Sequence, residues 1–461
     1  MKKLIMAIAV MSLVGTGFAA VENIKVSGDI NAEAIARDFT LDQRIQDNAD
    51  EFIISQIGLR FDADLTEGVS AVLRLLSQET WGEDNADDME IDLGYIELKE
   101  FLYDPLTLIV GKQNLRYGSA LVVGDPDTNQ GNVNDPATGL PAIATDLSMR
   151  KSFDAVRGIL DFAPWTIDLV FAQIDETEGA PAATDTVGTA IRHDDEYLFG
   201  INAAYDWSSY NGVTELYLFA ADRTPRTTSV EEDDQVYTIG SRVQFDPNDN
   251  WTLGVEGAYQ FGTFRRVYTN NVAAVVTDQD KINAFAAILG VDYRFLNDYN
   301  AKLGLKYTHL SGDQTDTDAT HQAWVTLWED QSSGEILNVL MDHTNARLLT
   351  LTGSLMPRED ITLGALYTLA YLDKELPAGL AGALAAYTPA GGPASIYAYT
   401  IDENRKFFGQ ELDVYAIYDY TEDVQIKLSG AFFDPGDLFS LGTFPNNDTA
   451  YSVRAGVSVD F

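Results

Sequence analysis

The 461-residue sequence has no cysteine, so neither disulfides nor thiolate chemistry are available to it. It has no Gly-x-Ser-x-Gly elbow and only four histidines, His193, His309, His321 and His343, none with a second histidine four residues on. Catalysis is therefore not expected, and the one enzymatic reading left open is a hydrolase at a rim built on His321 or His343. No cofactor is expected. Basic charge is also scarce: 30 Lys and Arg against 71 Asp and Glu give a formal net charge of -41. That balance argues against nucleic acid and anionic surfaces as partners. After residue 20 no apolar run approaches the roughly 18 residues of a transmembrane helix. If the mature chain enters a membrane, it must do so as strands.

At the start, Lys2 and Lys3 precede an apolar run over 4–14 and small residues over 15–20. This is the pattern of a cleaved secretory signal, with the cut after Ala19 or Ala20. Residues 1–20 are thus expected to be an export address and 21–461 a single exported domain.

The final stretch shows what that domain is made of. Tyr451, Val453, Ala455, Val457, Val459 and Phe461 share one parity, while Ser452, Arg454, Gly456, Ser458 and Asp460 share the other. About ten alternating residues suit a tilted strand with lipid on one face and water on the other. The unit recurs upstream, in Ile24, Val26, Gly28 and Ile30, in Ile57, Leu59, Phe61 and Ala63, and in Val69, Ala71, Leu73 and Leu75. Short turns at 64–68, 102–105, 162–164, 208–212, 246–250, 296–300, 357–360 and 420–423 alternate with long polar connections at 37–51, 81–88, 114–149, 175–193, 222–233, 265–281, 311–344, 373–405 and 434–448. Segregated short and long loops mark an outer-membrane barrel, whereas a soluble sandwich has no reason to sort them. The expectation is an all-β, transmembrane, antiparallel up-and-down barrel of about eighteen strands (16–20), in the outer membrane, with both ends on the short-turn, periplasmic side. The runs at 89–101, 105–113 and 152–162 have poor phase. Trp165, Tyr205, Trp207, Trp251, Tyr293, Phe295, Tyr418, Tyr420 and Phe461 sit beside short turns or at the chain end, where a barrel meets lipid headgroups.

Phase also sorts the charges. Arg60, Arg74, Arg242, Arg294, Lys302, Lys306, Lys427 and Arg454 fall on the polar parity, as do Asp29, Asp62, Glu256, Asp292 and Asp413. The opposite parity would put each cation into lipid at roughly 2–4 kcal/mol near midplane. A positively biased, partly compensated lumen is expected, one that favours anionic solutes, with simple pairing of cations to the lumen acids as the equal alternative. Acidic stretches such as 83–92, 231–234 and 313–318 read as solvated loop faces. Their functional alternative is divalent-cation binding at the lipopolysaccharide surface, so the partners expected are outer-membrane lipid and lipopolysaccharide, an anionic or sugar-like solute and divalent cations. Asp313, Asp316 and Asp318 lack the Gly and distal Glu of a calcium loop, and no metal site is assigned. Within 311–344, Trp324, Leu327, Trp328, Ile336, Leu337, Leu340 and Met341 recur at helical spacing, predicting a short amphipathic helix on or in the mouth, packed on other loops or gating the pore. The Ala, Gly and Pro-rich stretch 376–395 reads as a loop that could dip inward.

At 110–118, Val-Gly-Lys-Gln-Asn-Leu-Arg-Tyr-Gly, and at 150–157, Arg-Lys-Ser-Phe-Asp-Ala-Val-Arg, the chain resembles the alginate export family of outer-membrane barrels. That resemblance implies passive conduction of an anionic polysaccharide through an arginine-lined constriction, with Lys112, Arg116, Arg150 and Arg157 as further candidate channel cations. The local alternation of Leu106, Leu108 and Val110, by contrast, sends Lys112 and Arg116 outward unless a bulge intervenes or the strand has ended. The reading is a passive outer-membrane channel for anionic or sugar-like solutes. Its rivals are a general diffusion porin and a structural or adhesive barrel with a blocked lumen.

Overall fold

A computed structural model describes residues 23–39, 50–82, 89–127, 145–176, 193–225, 234–270, 273–314, 319–376, 402, 404–439 and 448–461. The expected export segment 1–20 and most of 376–395 lie outside them. The first ten strands are β1 (Asn23–Asp38), β2 (Asp50–Thr66), β3 (Val69–Thr80), β4 (Met89–Leu98), β5 (Leu106–Asn114), β6 (Ser152–Phe162), β7 (Trp165–Glu176), β8 (His193–Trp207), β9 (Gly212–Pro225) and β10 (Asp234–Asn248). They continue as β11 (Trp251–Asn270), β12 (Ala273–Arg294), β13 (Lys302–Leu310), β14 (Thr320–His321), β15 (Ala346–Arg358), β16 (Ile361–Leu372), β17 (Phe407–Asp419), β18 (Val424–Pro435) and β19 (Ala450–Asp460). Strand β14 is a two-residue segment lying parallel to β12 inside a loop. The other eighteen form an antiparallel wall, each paired with its neighbour in sequence.

Closure is made by β1, which pairs with β2 on one side and with β19 on the other, from Asp29 opposite Asp460 to Asp38 opposite Tyr451. Gly28 and Phe461 extend that seam by exchanging backbone hydrogen bonds of 2.8 and 2.9 Å. A closed ladder leaves no unpaired edge, which is what a backbone in hydrocarbon requires. The ring of Phe461 lies over Gly28, where a side-chain carbon would come within 2.6 Å of it.

All the short turns lie at the barrel end that also carries Asn23 and Phe461. Aromatics gather there on the outer face: Trp165 against Tyr205 at 4.9 Å, Trp251 against Tyr293 at 4.7 Å, and Tyr418 against Tyr420 at 6.1 Å. One expected long loop is not a loop. Residues 265–270 and 273–281 continue the β11–β12 ladder out to Asn270 opposite Ala273, so these strands run 20 and 22 residues. Two expected loop acids also move: Glu90 and Asp92 belong to β4, where they meet Arg150 and Arg74.

The main apolar core lies inside the barrel. Phe153, Ala172, Leu198, Phe219, Val236 and Ala284 are buried on the inward parity of β6–β12. What covers them is two segments from the long-loop end folded into the lumen, one carrying Leu115, Tyr117 and Leu121–Val123, the other Trp324, Leu327, Trp328, Leu337 and Leu340. Burying side chains of this size stabilises by ~1.5–3 kcal/mol each. This explains the poor phase of 152–162, whose inward Phe153 and Ala155 face protein instead of water. In β4 the alternation breaks for another reason, a register shift opposite Arg74 and Leu75 that turns both Asp92 and Leu93 inward. The predicted helix shrinks to one turn, α1 (Leu337–Leu340); Trp324 to Trp328 are irregular backbone whose spacing reflects burial on several sides.

Candidate channel lining and constriction

Each infolded segment is held by polar groups of the wall. Beyond the end of β5, the N–H groups of Gly118 and Ser119 donate to Glu215 (3.1 Å) and Glu256 (2.9 Å), and Tyr217 donates to Glu256 at 2.8 Å. Gly118 has φ +61 and a side-chain carbon on it would sit 2.5 Å from Glu256, so the turn needs glycine on both counts. The two segments then bind each other: Trp328 donates to Val122 (3.0 Å) and Asp330 to Ala120 (3.0 Å). Gln260 holds the second segment by both amide atoms, donating to the carbonyl of Val325 and accepting its N–H, each at 2.8 Å. Further on, Glu411 accepts the N–H groups of Ile336 (2.7 Å) and Leu337 (2.6 Å) at the start of α1, and Asp413 accepts that of Glu335. A third piece, around Leu147, lies against β1 and β2: Gln56 donates to its carbonyl, and Leu147 packs on Ile35 and Ile54.

With one arc of the wall covered, the charged inward face is left on β19 and β1–β4, opposite the edge of the loops. On that wall Arg74 bridges Asp29 (2.8 Å) and Asp92 (2.5 Å), Arg60 pairs with Asp62 (2.8 Å), and Arg454 lies 2.6 Å from Glu335 of the loop. On the loops, Asp330 joins Arg116 to Lys151, and Arg150 pairs with Asp127. Side chains of Arg116 and Lys151 stay 56 % and 41 % exposed, so this edge is wet. Burial works against the Asp330 carboxylate, but the hydrogen bonds and charges of Lys151 and Arg116 hold it below the usual range. Asp125 has weaker help, the N–H of Asp127 (2.9 Å) and the charge of Lys151. Burial pushes it up to about 6, and Asp127 and Asp330 nearby add to the rise.

Each candidate cation has a definite place. Arg60, Arg74, Arg242, Arg294, Lys302, Lys306, Lys427 and Arg454 all share the inward parity of their strands. Arg242 pairs with Glu215 (2.8 Å), and Lys306 donates to the carbonyl of Ser332 (2.9 Å). Arg157 also faces in, paired with Asp168 (2.7 Å) beneath Tyr117. Arg116 lies past the strand end and inside the lumen. Lys112 does not: it shares the parity of the exposed Val110 and Val156 and pairs on the outer wall with Asp154 (2.8 Å), so its assignment to the channel is corrected. Its strand runs regularly through Lys112, with no bulge to turn it inward.

The expected acids Asp29, Asp62, Glu256, Asp292 and Asp413 all face in. Others were missed, above all Glu411, Glu335, Asp127 and Asp330. Only Glu411 left a sequence signal, standing two residues from Asp413 and hence on the same face. The lumen is compensated rather than positively biased: Arg60, Arg74, Arg116, Arg150, Arg157, Arg242 and Arg454 each meet a carboxylate. Arg294, Lys302 and Lys427, all near the short-turn end, form no ion pair within 4.0 Å among the described residues, and their charges act at longer range on Asp246, Asp292 and Glu33. The rim histidines are otherwise engaged. His343 is buried 2.6 Å from Glu329; burial disfavours its charged form, yet the Glu329 carboxylate raises its pKa overall, and His321 lies tilted against Phe264 at 4.7 Å. Asp313 accepts the N–H of Gln322, Asp316 and Asp318 lie outside the described residues, and no metal-binding cluster occurs among those described.

Among curated proteins, no sequence matches the chain. In fold it is similar to Pseudomonas aeruginosa OccD3 (OpdP), at 11 % identity and TM-score 0.53 over 97 % of this chain and 93 % of that one. OccK7 (OpdD) of the same organism gives 15 %, 0.53, 95 % and 99 %, and Acinetobacter baumannii OccAB4 gives 10 %, 0.54, 96 % and 98 %. A sequence profile for alginate export matches residues 22–451, so the chain belongs to the alginate export family of outer-membrane β-barrels.

Proposed function

We propose that this barrel is a passive channel for small anionic or sugar-like solutes, addressed to the outer membrane by the cleaved segment 1–20. The observation that carries the reading is the division of the lumen. Infolded loops fill one arc, and a charged, partly exposed face remains along β19 and β1–β4, bounded across the gap by Arg116, Lys151 and Asp330. Guanidinium and carboxylate groups in register present donors and acceptors to a hydroxylated solute without net charge to trap it. Anion preference would come from Arg294, Lys302 and Lys427 at the short-turn end, which hold no carboxylate within 4.0 Å among the described residues. OpdK of Pseudomonas aeruginosa, of similar fold, has been solved with vanillate, a small carboxylate.

Reversal potentials of the full chain in planar bilayers test this. Anion preference together with current block by uronate oligomers supports the reading. Weak cation selectivity without block would favour a general diffusion porin, and absence of conductance would favour a structural barrel.

A further inference from the structure

A cavity of ≈ 290 Å³ lies on the short-turn side of the infolded loops, between them and the inner faces of β10–β16. Its size is at the lower end of the ~300–1,000 Å³ range of small-molecule sites, enough for one ring. Its floor is unusual. Gly254 and Gly290 are cross-strand neighbours on the inward parity of β11 and β12. A side-chain carbon on Gly254 would meet nothing within 4 Å, and one on Gly290 only a backbone oxygen at 4.0 Å. Gly304, next along on β13, contrasts with them, since there a side chain would strike Asp292 and Thr352 at 2.4 Å. Glycine weakens a strand interior, so two adjacent glycines that no neighbour demands mark space kept for something that approaches the backbone.

The polar groups say what that is. Lys306 reaches the cavity with one donor on the Ser332 carbonyl, and no carboxylate lies within 4.0 Å of its ammonium among the described residues. Thr352 supplies a hydroxyl and Asp292 a carboxylate at the same surface, beside Thr252 and Thr350, whose hydroxyls already bond Asp246 (2.6 Å) and Thr368 (3.0 Å). Toward the short-turn opening Lys302 faces the cross-strand Arg294, four residues and roughly 13 Å along the strand from Lys306. Two like charges placed opposite each other destabilise the sheet, and the Asp292 carboxylate on the same inward face offsets one of them, leaving room for an entering anion.

We propose that this cavity binds one small hydroxylated carboxylate, the size of a single sugar-acid ring, entering past Arg294 and Lys302. Its carboxylate meets Lys306, its hydroxyls meet Thr352 and Asp292, and its face lies on Gly254 and Gly290. The proposal rests on the channel reading, and the test separates the two. In planar bilayers the full chain is exposed to galacturonate or galactose from either side, beside Lys306→Gln, Lys306→Arg and Gly290→Leu. Each variant is first checked by heat-modifiable gel migration, which reports the closed barrel. The expected result is that galacturonate interrupts the current at least tenfold more strongly than galactose. That block falls at least tenfold in Lys306→Gln and Gly290→Leu and returns in Lys306→Arg. Equal block by galactose overturns the carboxylate assignment, and equal block in Lys306→Gln and Gly290→Leu overturns the site. A conducting channel that galacturonate never interrupts overturns the site and leaves the channel standing, whereas no conductance at all overturns both.

Discussion

The covered and open arcs of this barrel use one strand grammar for two different solvents. Along β6–β16 the inward parity mixes Phe, Leu, Val, Ala and Thr, packed on folded-in loops, with charges that pair beside them, such as Arg157 with Asp168 and Arg242 with Glu215. Along β19 and β1–β4 it is mainly Arg, Asp and Glu facing the gap, with Ile35, Ile54 and Gln56 buried where the Leu147 segment folds against β1 and β2. The outward parity is the same in both, exposed Leu, Ile, Val and Phe. The bilayer thus dictates one face of every strand, and the other face follows whatever the loops do. Where they fold in, the lumen becomes a protein core. Where they do not, charges must be compensated side by side.

Emptying the covered arc should have the largest effect. Trp328→Ala removes a buried anchor of both infolded segments at a cost of about 3–5 kcal/mol. Unit conductance should rise while heat-modifiable migration persists; unchanged conductance would mean that these segments do not narrow the lumen. In the open arc, Arg74→Met strips Asp29 and Asp92 of their shared cation, a loss of about 3 kcal/mol or more read from the urea midpoint in detergent. Adding Asp29→Asn and Asp92→Asn should recover most of it, and a midpoint that never moved would remove compensation as the rule for that arc.

Asp125 tests the border between the arcs. Its carboxyl is raised from an ordinary 3.8 to about 6, so the folded chain holds a proton that the unfolded chain releases. Its favourable contribution is complete below pH 3.8 and is lost as pH climbs through about 6. Asp125→Asn should therefore stabilise by about 1–3 kcal/mol at pH 7 and by almost nothing at pH 4. Melting temperatures at the two pH values would show it, and an equal gain at both would contradict the burial of this group. The smallest effect belongs to the outer wall: Lys112→Met should shift stability by less than about 1 kcal/mol and leave ion selectivity unchanged. A change in reversal potential would return Lys112 to the channel.

Comparing arcs also shows how far the sequence could be read. Alternation in 451–461 and its repeats gave eighteen strands, the end that carries the short turns, and the parity of Arg74, Arg242 and Arg454, because period two in a bilayer has only one solution. It failed at Phe153 and Trp328. An inward apolar residue covered by a distant loop looks, in one dimension, like lost phase or a helix. Partners were equally hidden, since Asp330 meets Arg116 only after two loops have crossed the lumen. Arg116 itself became a lumen residue because β5 stops at Asn114.

By itself, the sequence determined the cylinder, its orientation of faces and the inward direction of its charged residues, since hydrocarbon enforces those strand by strand. Tertiary structure alone decided which inward residues meet water, which meet protein and which charges cancel. Those outcomes depend on where segments 65 to 214 residues apart meet, and no local period encodes that.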